Sequence, residues 1–435
     1  MNSMPMTHVV PDMPPEAARS AGSPVARPAA KGWCPGAHRA MVSGDGLLVR
    51  VRPPLARLTI GQALGLCELA QTLGSGIIDL TRRANLQLRG VEPSGHDAVV
   101  DALCRLGLVD PDPAREALPA VLVAPCWQPG DDTQRIATAL LSRLGELPAL
   151  PSKFGFAVDA GPAPVLTGAS ADVRIERARS GGLIVRADGA ATGHPVARGD
   201  VAAAMTMALA MAARFAATAG TVTPSPRRMR DHPLLCSMPY DLSRVGPADC
   251  SMAQSTGGSA AHPATESATD PAELPTPGMS PLGPVYGVAF GQIDAAALAH
   301  LLRESGAVAL RLTPQRGFIL EGGGACESAA FITLAGDPLL RVDACPGSPS
   351  CASATVATRD VARALASALA RGDASAPRSF HVSGCAKGCA RAGAADVTLV
   401  GRDGAFDLVR NGRAWDAPAH TGLAPDALRS FFGIP

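Results

Sequence analysis

Residues 343–356 read DACPGSPSCASATV, and residues 383–393 read SGCAKGCARAG. The two stretches hold four cysteines in two spaced pairs: Cys345 and Cys351, then Cys385 and Cys389. The residues around them are mostly Gly, Pro, Ser and Ala, which let a backbone curl tightly and approach a ligand closely. Paired cysteines in such loops predict a site built from four thiolates.

Four thiolates can hold either a zinc ion or an iron–sulfur cluster. Structural zinc sites usually take paired ligands about two to four residues apart, and the first pair, which encloses five residues, is loose for that purpose. A 4Fe-4S cluster binds its thiolates at separate corners, which suits the wider spacing. The alternative is ordinary buried thiols in small-residue turns. Seven further cysteines form no comparable pattern and are predicted to be packing residues: Cys34, Cys67, Cys104, Cys126, Cys236, Cys250 and Cys326.

The composition is that of a soluble protein without a marked charge. A chain of 435 residues is too long for one ordinary core, so roughly two or three domains are expected. A formal net charge of +1 argues against a nucleic-acid-like basic excess, and 3% aromatic residues argue against a base-stacking surface. We therefore predict no nucleic-acid partner and no membrane partner.

Residues 1–30 are rich in Pro and Ala and lack the basic start and apolar run of a signal peptide. They are predicted to form a disordered leader, and the protein is expected in the cytoplasm, where its eleven cysteines would be mostly reduced. The Ala-rich run 201–213 is too short to span a bilayer and is predicted to be a buried helix.

The chain divides at a segment rich in Ser, Thr, Pro and Gly, residues 221–283, which is predicted to be a linker. On either side of it, strand, helix and strand patterns follow in the same order, and a block of mixed strands and helices follows each. Aligned without gaps, residues 78–90 and 310–322 are identical at four positions: Leu80/Leu312, Thr81/Thr313, Leu88/Leu320 and Gly90/Gly322. The pattern predicts an internally duplicated α+β protein.

Arginines occupy the polar positions of two predicted strands. If residues 81–90, TRRANLQLRG, form one strand, alternate side chains share a face. That face would carry Thr81, Arg83, Asn85, Gln87 and Arg89. Arg50 and Arg52 share a face on the preceding strand. A solvated outer face is the usual explanation, but arginine forks without lysine or glutamate favour a polyanionic ligand.

These motifs resemble those of the nitrite and sulfite reductase family, whose members pair a 4Fe-4S cluster with siroheme. The resemblance rests on the cysteine pairs, on DLTRRANLQLRGV at residues 79–91 and on the duplicated half, and covers most of residues 31–435. It implies a pseudo-twofold pair of ferredoxin-like half-domains joined to sulfite-reductase-like α+β domains that bind the cluster and a tetrapyrrole. The predicted boundaries are 31–110 and 284–335 for the half-domains, and 111–220 and 336–435 for the α+β domains.

The resemblance also implies roles for individual residues. Arg50 and Arg83 would contact tetrapyrrole carboxylates or the reacting anion, and Lys153 would be an active-site lysine. The candidate residues for binding the substrate carboxylates are Arg50, Arg83, Arg89 and Lys153. Arg83 and Lys153 are the candidate catalytic residues, although a lone lysine in a loop is ordinarily just solvated. The cluster ligands would be Cys345, Cys351, Cys385 and Cys389, the last of them nearest the tetrapyrrole.

The sequence departs from the reductases at positions where they carry polar or basic groups. The reductases have a second basic residue two positions after the active-site lysine, and this chain has Gly155 there. They also have Arg-Asn just before a strand, and this chain has Pro119 and Ala120 at those positions. Such losses weaken proton delivery and anion stabilisation. The stretches CPGAHRAM and LPSKFGFAVDAG are closer to an offshoot of the family that hydroxylates precorrin-3A with dioxygen in cobalamin biosynthesis.

The leading expectation is therefore an oxygen-dependent monooxygenase that acts on precorrin-3A. It would use a 4Fe-4S cluster, an unidentified electron donor and, as the resemblance implies, a mononuclear non-haem iron. A siroheme-dependent sulfite or nitrite reductase is one alternative. A non-catalytic iron–sulfur or tetrapyrrole-binding protein is another.

Overall fold

The computed structural model describes residues 34–235, 265–369 and 377–432, which fall into two compact units divided between Leu340 and Arg341. The first unit begins with a half-domain of short strands and helices. Its elements are β1 Met41–Ser43, β2 Gly46–Val51, β3 Arg57–Thr59, α1 Ile60–Thr72, β4 Ile77–Leu80, β5 Leu86–Val91, α2 His96–Arg105 and α3 Pro113–Glu116.

Helix α1 shows why these residues fold locally as they do. Thr59 caps its first turn in a capping box with Gln62, which satisfies backbone amides that have no partner inside the helix. Its buried residues recur at helical spacing and face the core of the half-domain: Ala63, Leu66, Cys67 and Ala70.

A second sheet follows in the first unit. Its elements are β6 Ala120–Val123, α4 Asp132–Arg143, β7 Gly155–Asp159, β8 Val173–Arg177, β9 Leu183–Ala187, β10 His194–Val196 and α5 Val201–Ala219. The strand order is β10-β9-β8-β7-β6, in which β6, β7 and β8 are parallel neighbours and the other pairs are antiparallel. Helices α4 and α5 pack on this sheet and on each other.

Helix α5 is long and apolar enough, by length and composition alone, to cross a membrane. It is instead a core helix, because Met205, Leu209 and Phe215 are buried in the cluster that it forms with the second sheet. The buried helix predicted at 201–213 is therefore confirmed.

The carboxyl group of Asp159 lies at the end of β7 and is 1% exposed. Its Oδ2 accepts hydrogen bonds from the amides of Val165 and Leu166 at 2.7 and 2.6 Å, whereas its Oδ1 has no hydrogen-bond partner among the described residues. Burial raises the pKa of Asp159 to about 6, against the pull of the two amides. An unfolded aspartate has a pKa of about 3.9, so the folded protein keeps this proton to a higher pH. Its stability therefore falls as the pH rises from the unfolded to the folded pKa.

We expect Asp159→Asn to increase the free energy of unfolding above pH 6 by up to about 3 kcal/mol, since the amide carries no charge to bury. The gain should shrink as the pH falls and reach zero below about pH 3, where the wild-type carboxyl is neutral in both states. Urea unfolding of both proteins across this range measures the difference. A variant that is equally destabilised at every pH would show that the carboxylate itself is required.

The second half-domain repeats the first. Its elements are β11 Gly278–Ser280, β12 Gly283–Gly287, β13 Gln292–Asp294, α6 Ala295–Glu304, β14 Ala309–Thr313 and β15 Gly317–Glu321. Each half lends one strand to the other's sheet: β13 pairs with β4, with Ile293 opposite Ile78, and β3 pairs with β14, with Leu58 opposite Leu310. The sheet orders are β1-β2-β5-β4-β13 and β11-β12-β15-β14-β3. The predicted pseudo-twofold α+β fold is confirmed.

Backbone conformation preserves the duplication more clearly than residue identity does. Left-handed residues recur at equivalent places before the exchanged strands, inside the hairpins and at the far end of each hairpin's second strand: Leu55 and Phe290, Ala84 and Arg316, Gly90 and Gly322. Residues other than glycine adopt a positive φ only at a cost in free energy. Their recurrence therefore marks places where both halves need the backbone to change direction.

Gly90 and Gly322 offer a matched pair of substitutions. Both have positive φ, +68° and +71°, which alone costs an alanine about 1–2 kcal/mol. A Cβ at Gly90 would lie 2.6 Å from the Cβ of Ser75, whereas one at Gly322 would meet only Val308 methyl groups at 3.5 Å and beyond. We expect Gly90→Ala to lower the melting temperature more than Gly322→Ala does. The reverse order would contradict this account of the turns.

The stretch TRRAN, predicted as part of one strand, is instead the turn between β4 and β5. The Thr81 amide donates to the Asn85 carbonyl at 2.9 Å, and the Thr81 hydroxyl accepts from the amides of Arg83 and Asn85. Ala84 has φ of 52°, which reverses the chain. The predicted single polar face is therefore wrong, and Arg83 projects from a hairpin tip.

The predicted linker, residues 221–283, contains ordered structure at both described ends. Residues 229–231 form a 3-10 turn, Glu266 and Ala268 bridge to Gly193 and Ala178, and β11 lies near its end. Residues 236–264 and the predicted leader, 1–30, lie outside the described residues. The domain boundaries as drawn from the sequence stay predictions.

The second compact unit repeats the topology of the second sheet. Its elements are β16 Val342–Ala344, α7 Arg359–Leu369, β17 Phe380–Ser383, β18 Ala395–Arg402, β19 Ala405–Gly412, β20 His420–Leu423 and α8 Ala427–Phe431. The order is β16-β17-β18-β19-β20, again with parallel pairing in the first three strands and antiparallel pairing in the rest.

Candidate functional site

The predicted cluster cysteines follow two neighbouring parallel strands of the second unit. Cys345 comes directly after β16, and Cys385 follows β17 after Gly384. Because carboxyl ends of adjacent parallel strands lie at one edge of a sheet, the two loops meet. The Gly384 amide donates to the Cys345 sulfur at 3.1 Å, as an amide does toward a cluster-bound thiolate.

The electrostatic environment of these four cysteines favours a bound group with positive charge. Partial desolvation and, after it, the charges of Cys345, Cys385 and Cys351 together raise the pKa of the Cys389 thiol to about 11. Within the described ranges no three His, Cys, Asp or Glu side chains form a site for a metal ion. Four cysteines on two adjacent loops, with the Gly384 amide donating to the Cys345 sulfur, are the donor set that a 4Fe-4S cluster, which takes its thiolates at separate corners, would need.

Glycines let the two cysteine loops close. Gly347 has φ of +72°, and a Cβ there would lie 2.5 Å from the Thr358 hydroxyl, which itself donates to the Cys345 carbonyl. A Cβ at Gly384 would lie 2.5 Å from the Cβ of Ala354. The small residues of these loops are thus required by close backbone approach, as their composition predicts.

Arg50 projects from β2 in the first unit. With the Gln87 amide turned so that its oxygen faces the guanidinium, that oxygen accepts from Arg50 Nη2 at 2.8 Å and from Nε at 3.2 Å. The Cys34 thiol is a further hydrogen-bond partner. Burial lowers the pKa of Arg50, and the charges of Arg83 and Arg52 lower it further.

Arg83, at the β4–β5 turn, belongs to the same cationic group. Its Nη2 donates to the Ser170 hydroxyl at 2.9 Å, and Arg228 Nη1 donates to that same hydroxyl at 2.9 Å. Burial lowers the pKa of Arg83, and Arg228 lowers it further. Like charges held side by side and partly out of water favour a bound anion that restores neutrality.

Ser170 and Arg228 were not predicted from the sequence. Arg228 is held by Asp172, whose Oδ1 accepts from its Nε at 2.9 Å and whose side chain is fully buried. The only sequence signal is the cationic run in PRRMRD, which stands inside the predicted linker. Its partners Asp172 and Ser170 lie 56 and 58 residues away in the chain.

Lys153 lies in an exposed position just before β7, and its backbone carbonyl accepts a long hydrogen bond, 3.5 Å, from Arg83. The structure therefore brings Lys153, Arg83 and Arg50 into one region. Gly155, two residues on, opens β7, and a Cβ there would lie 2.9 Å from the Ala120 carbonyl. The strand pairing of β6 and β7 thus disfavours the second basic side chain.

Arg89 is not brought into this group. Its side chain is 3% exposed and is paired with Asp79 at 3.0 Å and Asp45 at 2.8 Å. The equivalent position in the second half is Glu321, which pairs with Arg311 at 2.8 Å. The two halves thus hold the same ion pair with its charges exchanged, which points to an architectural use of Arg89.

Comparisons with known proteins identify relatives of this chain. A family model described as the nitrite/sulfite reductase ferredoxin-like half domain matches residues 39–106. The chain is 32% identical over 423 residues to a curated protein of a Sinorhizobium species named precorrin-3B synthase, covering 89% of this chain and 84% of that one. It is also similar to the solved structure of the Mycobacterium tuberculosis NirA protein, with a TM-score of 0.55 and 16% identity over 88% of this chain and 79% of that one. The structural likeness concerns the fold alone.

Proposed function

The chain belongs to the precorrin-3B synthase family, within the nitrite and sulfite reductases, and from this premise we propose that it hydroxylates precorrin-3A with dioxygen and forms a γ-lactone, giving precorrin-3B in cobalamin biosynthesis. One oxygen atom enters the substrate, and the other leaves as water with electrons from a donor of unknown identity. The reaction would take place in the cytoplasm.

The observation that carries the proposal is the cationic group of the first unit. Arg83 and Arg228 share one neutral acceptor, the Ser170 hydroxyl, and Arg50 stands among further cations. The substrate is a tetrapyrrole with many carboxylates, and arginine forks bind carboxylates with two parallel hydrogen bonds. Lys153, exposed and close to Arg83, would add a mobile positive charge or hold a proton at its Nζ.

The four cysteines of the second unit would hold a 4Fe-4S cluster, with the Gly384 amide donating to the Cys345 sulfur. The cluster, when bound, would relay single electrons from the donor. The resemblance also implies a mononuclear non-haem iron, but no trio of His, Cys, Asp or Glu among residues 34–235, 265–369 and 377–432 fits one. We therefore assign it no ligands and derive no step through it.

Single-turnover mass spectrometry tests the proposal. Cluster-loaded protein is given precorrin-3A, a reductant and isotopically labelled dioxygen. A product that carries one labelled oxygen atom supports the monooxygenase. Unchanged substrate from protein with an intact cluster would contradict it, and assays of sulfite and nitrite reduction with siroheme supplied would follow. Tight substrate binding without turnover in either assay would indicate a binding protein.

A further inference from the structure

The loop between Cys385 and Cys389 carries a lysine, Lys387, in a chain whose cations are mostly arginines. The sequence holds three lysines among its 39 Lys and Arg residues, and one of them lies between two of the four predicted cluster ligands. A lysine carries a compact point charge on a flexible stem, whereas the charge of an arginine is spread over a planar fork. Nothing in the proposed reaction so far uses this ammonium group.

The side chain of Lys387 is half-buried and extends to the other cysteine loop. Its Nζ donates to the Ser353 hydroxyl at 2.7 Å, and Ser353 stands two residues after Cys351. The ammonium group therefore bridges the two loops that together supply all four cysteines. Its acceptor there is a neutral hydroxyl, which leaves the positive charge of the lysine in place.

The two cysteine loops, residues 345–356 and 384–393, contain one other cation, Arg391. It pairs with Asp343, whose Oδ2 lies 3.1 Å from its Nη1. Across residues 34–235, 265–369 and 377–432, by contrast, no carboxylate forms an ion pair with Lys387. Lys387 is therefore the cation of these loops whose charge no described carboxylate offsets.

A cation in this position favours the reduced state of a cluster held by the four cysteines. A 4Fe-4S cluster with four thiolate ligands is an anion, and one added electron makes it more negative. The attraction of a nearby ammonium group therefore grows on reduction, and solvent ions screen it little where the side chain is partly out of water. Charge and hydrogen bonding around a cluster set its reduction potential in this way.

We propose that Lys387 raises the reduction potential of the cluster held by Cys345, Cys351, Cys385 and Cys389, so that the cluster accepts single electrons from the donor more readily. Each electron leaves the reduced donor, which is oxidised, and enters the cluster, which is reduced, and no bond is made or broken. The inference rests on the proposed function, which needs these electrons, and adds the residue that favours their entry. Lys387 acts through the cluster and is a positioning residue.

Redox titration of the anaerobically reconstituted holoprotein, without substrate, tests the proposal. We expect Lys387→Gln to lower the ratio of reduced to oxidised cluster at a fixed potential by roughly three- to tenfold, which corresponds to a midpoint potential about 30–60 mV lower. Lys387→Arg should keep that ratio within about twofold of wild type, because it keeps the positive charge. Visible absorbance and electron paramagnetic resonance measure the two populations.

Two further variants separate the charge of Lys387 from its hydrogen bond. Ser353→Ala removes the acceptor but keeps the ammonium group, so the potential should fall less than in Lys387→Gln. Arg378→Gln removes an exposed charge at the opposite end of β17 from Cys385 and should leave the potential unchanged.

The outcomes distinguish this inference from the proposed function. A wild-type potential in Lys387→Gln, or an equal fall in Lys387→Gln and Lys387→Arg, would overturn the inference and leave the proposed hydroxylation standing. Loss of the cluster from Lys387→Gln, with full iron in Lys387→Arg, would also overturn it, because the charge would then serve cluster assembly. Failure of the wild type to assemble a cluster would contradict the cofactor of the proposed function itself.

Discussion

Replacing Arg83 by alanine is expected to weaken precorrin-3A binding by roughly 30- to 1,000-fold, the equivalent of about 2–4 kcal/mol. The guanidinium is partly buried, it has a neutral hydroxyl and a carbonyl as its hydrogen-bond acceptors, and its neighbour Arg228 repels it. A substrate carboxylate would therefore gain a charge-assisted, two-pronged contact that water cannot replace. Kd by fluorescence or calorimetry gives the result.

The neighbouring residues provide the controls. Arg82 lies on the same turn but is exposed, so Arg82→Ala should change Kd by less than about threefold. Arg83→Lys should fall between alanine and wild type, since lysine keeps the charge and loses the planar fork. Binding to Arg83→Ala at wild-type affinity would exclude this residue from the group that binds the substrate carboxylates. Thermal unfolding shows whether the variant remains folded.

Sequence patterns predicted the features that lie within a single loop or element. Each cysteine pair lies within one loop, and the small residues beside it are those that a close backbone approach requires. Duplication was likewise visible, because helix and strand periodicities repeat in order. Periodicities of this kind depend on residues that are close in the sequence, so they predict helices and strands without knowledge of the rest of the fold.

Contacts between segments that are remote in the sequence could not be predicted from these patterns. The exchange of β3 and β13 between sheets joins segments more than two hundred residues apart. Arg89 looked equivalent to Arg83 by alternation, yet its carboxylate partners come from β4 and from the β1–β2 turn. Arg228 looked like part of a linker because its partners are remote in sequence. The turn at Ala84 could not be predicted because alanine is not a residue type that favours positive φ.

Replacing Cys345 by serine is expected to prevent stable assembly of the cluster, with iron content and visible absorbance falling to background and hydroxylation lost. Among the described residues, Cys345 is the buried cysteine of the four, and its sulfur accepts the Gly384 amide. A serine hydroxyl is a much poorer ligand because it does not deprotonate readily in a buried site. Iron analysis and electron paramagnetic resonance of the anaerobically reconstituted variant give the result.

Cys326→Ser is the matched control for that experiment. Its sulfur lies in the first unit, where it packs against the core and donates a long hydrogen bond to the Gly324 carbonyl at 3.8 Å, so iron content should match the wild type. A Cys345→Ser protein with full iron and an unchanged resonance signal would exclude this cysteine as a ligand. Precorrin-3A binding then separates two uses of the cluster. Retained binding without turnover means that the cluster relays electrons, whereas joint loss of binding and of native circular dichroism means that it holds the fold together.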